Sequence, residues 1–240
     1  MKQNTYPIKT TWDKQWKNYN NAPFFKPNQK VIQEIIHCFN STIMNKKILE
    51  IGAGSGCDII CLTKMGARGY AVDFSSESIK TMHYWSRETK TKIDINQADI
   101  RQLPYKKPIF DMVYSVGLME HFDDPLPLLK QQLSIIKKGG FLLIDVPQKY
   151  SLYSIAKHIR MRFGTHPFGW ETEFSIADLK KISDKLNQKV VRFYGRDLDI
   201  IQKIPIQIRP FFNSLYKKLF EDTFISPYIG LSIGMIMKVN

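Results

Sequence analysis

Glu50, Gly52, Gly54 and Gly56 stand at alternate positions within Ile48-Leu49-Glu50-Ile51-Gly52-Ala53-Gly54-Ser55-Gly56-Cys57-Asp58. An acid followed by three such glycines suits nucleotide binding. Residues without a Cβ let the main chain turn sharply and let a ligand reach it, and a helix opening at Asp58 aims its unpaired N–H groups at the same turn. Asp73 lies seventeen residues past Gly56, at the end of the run Arg68-Gly69-Tyr70-Ala71-Val72, where a carboxylate can accept hydrogen bonds from ribose hydroxyls. The same acid could instead cap a helix beginning at Ser75 and Ser76, and Asp99 could fix a turn before Leu103-Pro104. Glu120 and His121, in Gly117-Leu118-Met119-Glu120-His121-Phe122-Asp123-Asp124-Pro125, offer proton transfer. An imidazole with an unperturbed pKa of about 6.5 suits proton removal near neutrality, although a histidine there could equally line a pocket.

These groups need a scaffold, and the apolar runs supply one. After Lys46-Lys47 come candidate strands ending at Ile51 and Asp73, then Lys92 to Ile95, Phe110 to Val116, Gly140 to Pro147, Val190 to Tyr194 and Leu231 to Val239. Helical segments alternate with them. One spans Asn28 to Phe39, and another starts near the two prolines after Asp124 and is predicted to stop at Lys137-Lys138-Gly139, as a cationic last turn with a glycine cap would. Ser175 and Asp178 specify a further helix start as a capping-box variant. Strand-helix alternation on this scale predicts an α/β fold, a doubly wound, mostly parallel, seven-stranded sheet. Residues 1–240 read as a single domain, with 1–45 a helical lid, 46–150 a nucleotide-binding core, and 151–240 an insertion after strand five followed by the last strands.

The dinucleotide fingerprint asks for glycine or alanine where Cys57 stands. Glu-x-Gly-x-Gly-x-Gly instead resembles the first motif of the class I S-adenosylmethionine (SAM) dependent methyltransferases. Gln97-Ala98-Asp99-Ile100-Arg101 resembles that family's adenine-contact motif, and the segment from Gly117 to Pro125 is similar to small-molecule methyltransferases of the quinone-biosynthesis (methyltransferase type 11) group. The resemblance covers residues 46–150 and implies SAM as cofactor and S-adenosylhomocysteine (SAH) as product, with no metal expected. It implies cofactor contacts from Glu50, Gly52, Ala53, Gly54 and Gly56 in the turn, and from Asp73 and Phe74 at the ribose. Asp99 would meet the exocyclic amine and the Ile100 N–H the adenine ring, with Ser115 and Val116 at the fourth strand's end. Members of this family commonly close the pocket with an amino-terminal segment, so Trp16 and Tyr19 are the expected contacts from the lid. The expected reaction is methyl transfer to a small-molecule, lipid-like or glycan-like acceptor, chiefly at oxygen. His121 is the candidate base and Glu120 its neighbour near the transferred methyl; Tyr153 and His166 are weaker candidates.

Composition bounds the alternatives. A net charge of +13 falls unevenly: residues 1–45 carry six Lys and two acids, 46–150 fifteen Lys/Arg and twelve acids, and 151–240 fourteen Lys/Arg and eight acids. Both flanks are basic, which suggests an anionic acceptor, a nucleic acid or peripheral contact with a membrane surface, or else a solvated face with no partner. Against nucleic acid, strand four lacks the Asn/Asp-Pro-Pro-aromatic motif of base N-methylation and any Pro-Cys nucleophile. A SAM-binding scaffold without turnover is the remaining alternative. The three cysteines give no disulfide framework or zinc set, and no apolar leader follows Met1, so a cytoplasmic protein is expected. Ile208, Phe211, Phe212, Leu215, Leu219 and Phe220 form one helical stripe, read either as core or as a lipid-facing surface.

Overall fold

In the computed structural model, residues 9–17, 26–151, 171–197 and 223–240 are described, together with 154, 157, 158, 161–163 and 214. Seven strands form one sheet: β1 (Lys47–Ile51), β2 (Arg68–Asp73), β3 (Asp94–Gln97), β4 (Phe110–Val116), β5 (Ile136–Pro147), β6 (Lys189–Arg196) and β7 (Ser232–Lys238). Their order is β3-β2-β1-β4-β5-β7-β6. β1 to β5 pair in parallel, and β7 enters antiparallel between β5 and β6. The strand order reverses between β1 and β4, which opens a crevice at their carboxyl ends.

Side-chain alternation along the strands feeds two apolar layers. Leu49, Ile51, Val113, Leu142 and Ile144 face one side with Leu128, Leu129 and Leu179, from helices α5 (Leu126–Ser134) and α6 (Ile176–Leu186). Ile48, Met112 and Leu143 face the other with Val31 and Ile35 of α2 (Gln29–Cys38), Ile59 and Ile60 of α3 (Cys57–Lys64) and Met82 of α4 (Ser76–Glu88). Each such side chain stabilises the fold by roughly 1.5–3 kcal/mol when fully buried. Helix starts follow their caps: Asn28 accepts from the Val31 N–H, Ser75 from the Ser78 N–H, and Ser175 with Asp178 forms a reciprocal capping box.

Several predicted boundaries move, at α5, β3, β5, β6 and β7. α5 ends at Ser134, and Lys137-Lys138-Gly139 belongs to β5, whose register shifts as it joins β4. Lys137 Nζ pairs with Asp111 Oδ1 at 2.8 Å, so the cationic pair serves a bulged strand start rather than a helix end. β3 begins at Asp94 rather than Lys92, because its register against Tyr70–Asp73 sets it. Within the amino-terminal flank, α1 (Lys9–Lys17) lies against α4, where Asp13 Oδ1 accepts from the hydroxyls of Ser75 (2.7 Å) and Ser76 (3.3 Å). Tyr19, Tyr153, His166 and the stripe from Ile208 to Phe220 lie outside the described residues. Among the described residues, no helix is long and apolar enough to cross a membrane.

Candidate active site

The turn after β1 is built as the glycines demand. Gly52, Gly54 and Gly56 all hold left-handed backbone, at φ +68°, +54° and +71°. Such angles strain any residue with a Cβ. The Gly52 N–H donates to the Val72 carbonyl at 2.8 Å, tying the turn to β2. At Gly54 a Cβ would sit 2.2 Å from Cζ2 of Trp16, because the indole of α1 rests directly on the bare main chain. This backbone therefore already receives a flat ring at close range.

Asp73 closes the turn from β2. Its Oδ2 accepts from the Gly54 N–H and its Oδ1 from the Ser75 N–H, both at 2.9 Å. Burial raises its pKa, and those N–H donors oppose the rise. The Ser78 hydroxyl and the Phe74 N–H act on it in the same direction. Ser75 rather than Asp73 is the cap of α4, so Asp73 joins the turn to the helix instead of ending it. Asp99 accepts from the Arg101 N–H and guanidinium, which hold its carboxyl below the ordinary range. It also caps the short 3-10 turn Ile100–Gln102.

A cavity of about 810 Å³, part of it open to solvent, lies at the carboxyl ends of β1, β2 and β4. Of the sequence-predicted residues, Gly52, Asp73, Phe74, Asp99, Ile100, Val116, His121 and Trp16 line it. Glu50, Ala53, Gly54, Gly56, Ser115 and Glu120 do not. Glu50 is buried beneath α3, where its Oε2 accepts from the Ile59 N–H at 3.2 Å, and burial with the nearby Asp58 raises its pKa. Gly54 is covered by Trp16, and Ser115 is buried in β4.

The wall opposite Asp73 is made of side chains. His121 follows β4 on a 3-10 turn, Met119–His121, and packs edge-on against Trp12 with ring centroids 5.1 Å apart. Leu118 and Phe122 flank it. Behind it, burial pushes the Glu120 carboxyl up to about 8, so this acid is largely neutral at pH 7, with Glu171 and Asp145 acting in the same direction. Glu171 Oε1 stands 4.0 Å from His121 Nδ1. Trp12, Leu118, Phe122 and Glu171 were not singled out as site residues by the sequence. Trp12 and Trp16 are four apart on one helix face, a signal that could have paired them; Glu171 had none.

Residues 49–144 match a family model described as a methyltransferase domain. Over 192 residues the chain is 25% identical to a ubiquinone biosynthesis O-methyltransferase of Pelagibacter ubique, covering 77% of this chain and 79% of the relative. It is 26% identical over 130 residues to the enzyme of that name from Xanthomonas campestris pv. campestris, 51% of this chain and 54% of the relative, so against this second relative the match spans about half its length. The structure of magnesium protoporphyrin IX methyltransferase from Synechocystis with bound SAH superposes with a TM-score of 0.65 at 13% identity, covering 95% of this chain and 100% of the other. A SAM dependent methyltransferase from Aquifex aeolicus gives 0.62 at 13% identity, with 95% and 98% covered. At these identities the superpositions establish a shared fold.

Proposed function

We infer that this chain, a class I SAM-dependent methyltransferase, methylates an oxygen of a small-molecule acceptor whose hydroxyl is presented to His121. The observation that carries the reading is the shared cavity: the Asp73 side of the glycine turn and the His121 imidazole line one space. The glycine turn at Gly52, the Asp73 carboxylate, and Asp99 beside Ile100 fit the methionine, ribose and adenine parts of SAM respectively. When bound, SAM supplies an electrophilic methyl group on a sulfonium, a leaving group needing no protonation. The chain's own task is then to orient a hydroxyl and hold its proton, and the proton goes to His121.

Trp12, Leu118 and Phe122 around the imidazole favour an aromatic or lipid-like acceptor, in keeping with the quinone-pathway name of the relatives. Residues 1–45 act as the cover: α1 brings both indoles to the cavity, with Trp16 over Gly54. Residues 46–150 hold the cofactor and 151–240 complete the acceptor side, within one domain. A cytoplasmic setting suits three cysteines that form no disulfide with one another. Incubation of the chain with methyl-labelled SAM and fractionated cell extract, with catechol as a defined probe, tests this. Label in an aryl methyl ether supports it. Label only in RNA, or saturable SAM binding with no transfer to any fraction, would replace it with a nucleic-acid enzyme or a cofactor-binding scaffold.

A further inference from the structure

Behind His121 a row of ionisable side chains runs from the cavity to solvent. Glu171 presents Oε1 to His121 Nδ1 at 4.0 Å and Oε2 to Lys157 Nζ at 2.8 Å. Lys157, fully buried, reaches Glu173 Oε1 at 2.7 Å, and Glu173 Oε2 meets Nε2 of the half-exposed His158 at 3.0 Å. The segment carrying Glu171 is fixed to the candidate base by main chain: the Thr172 N–H donates to the Glu120 carbonyl at 2.8 Å, and the Phe174 N–H to the Pro147 carbonyl at 3.0 Å. Glu171 is thus set against His121 by backbone bonds in the residues that follow it.

We propose that Glu171 is the positioning residue for His121, and that Lys157, held in turn by Glu173, keeps Glu171 ionised so that it can act. This rests on the reading of His121 as the base. At 4.0 Å the two are within ion-pair range but beyond hydrogen-bond distance; an ionised carboxylate is an acceptor only, so on closing to hydrogen-bond distance it selects the tautomer with the proton on Nδ1 and leaves the lone pair on Nε2. It also stabilises the imidazolium formed when His121 takes a proton, and in the low dielectric of a buried site that stabilisation is larger than at a surface. The Lys157 ammonium makes the buried carboxylate tenable, since its 2.8 Å ion pair replaces part of the water that carboxylate has lost. Other groups face the same imidazole: Glu120 with Asp145 and Arg196 behind it, the edge of Trp12 from α1, and Asp73, Asp99 and Arg101 across the cavity. Glu171 differs from them in being the carboxylate that both approaches Nδ1 and is anchored by an ammonium.

The test is a pH titration of SAH-saturated protein whose five histidines carry ¹³C and ¹⁵N, the His121 signals being assigned by their loss in His121→Gln. In the wild type, neutral His121 is expected as the Nδ1–H tautomer; finding the Nε2–H form overturns the proposal without any variant. Glu171→Gln is expected to lower the His121 midpoint by about one pH unit, the lower end of the effect of an opposite charge at this range. The acid limb of methyl transfer to catechol should move down with it, and Glu171→Asp should restore part of both. An unmoved midpoint in a folded Glu171→Gln chain overturns the role of Glu171. His121→Gln that keeps wild-type kcat sinks the reading of His121 itself, whereas loss of kcat there with an unmoved midpoint in Glu171→Gln sinks only the positioning role.

Discussion

On the Asp73 side of the cavity the main chain shapes the surface: Gly52 lines it, the left-handed glycine turn behind it is tied to Asp73 through the Gly54 N–H, and a 3-10 turn is capped by Asp99. On the His121 side the surface is side chain, and its parts come from α1, the turn after β4 and the segment at 171–174. A backbone surface recognises what all users of a cofactor share, and it needs only local sequence to form. A side-chain surface assembled from distant segments can change its ligand without disturbing the first. The two walls should therefore fail separately: damage to one removes binding, and damage to the other removes turnover.

His121→Ala should break that comparison most visibly. General base catalysis contributes about 10²–10⁴ in rate, so kcat with catechol or the native acceptor falls by that much while SAH affinity measured by calorimetry stays within about twofold. Loss of affinity in step with rate would place His121 on the cofactor wall. Next, Gly54→Val forces a branched residue into left-handed backbone and into the Trp16 indole. We expect SAH affinity to drop by at least about a hundredfold, and an unchanged isotherm would show that the turn is not the binding surface.

Asp73→Ala should weaken SAM about ten- to a hundredfold, on roughly 1.5–3 kcal/mol for a hydrogen bond to a charged group. Because Asp73 also accepts from the Gly54 and Ser75 N–H groups, its melting temperature should fall as well. A lower melting temperature with unaltered affinity would leave only the scaffold role. The smallest effect concerns Glu120. Its folded-state pKa of about 8 stands above its unfolded value, so stability is fully present below about pH 4.5 and is lost as pH rises through about 8. Glu120→Gln removes that loss, and should melt a few degrees above wild type at pH 9 with a smaller difference at pH 5. Thermal scans at the two pH values check the sign.

The same contrast explains what could be read without coordinates. β2 and β4 fall where the apolar runs place them, Asn28 and Ser175 cap the helices they precede, and the glycine turn is where its spacing puts it. Each of these is decided by neighbours in sequence. Lys137-Lys138-Gly139 was misread as a helix end because a cationic turn with glycine also suits a bulged strand, and only the Asp111 partner distinguishes them. Glu50 carries the motif's acid yet points under α3, since side-chain direction depends on packing that spacing does not encode. Glu171 and Lys157 lie fourteen residues apart and meet through the fold, with the Thr172 N–H held by the Glu120 carbonyl. No local pattern announces such a pair.

Titration of SAH into the wild-type chain, with heat and indole emission recorded on the same sample, tests the central claim most directly. Trp12 and Trp16 line the cavity, and Trp16 covers Gly54. The account predicts one saturable site per chain, with a change in indole emission that follows the heat. Absence of saturable heat, or a binding event that leaves the indoles unaffected, would contradict it.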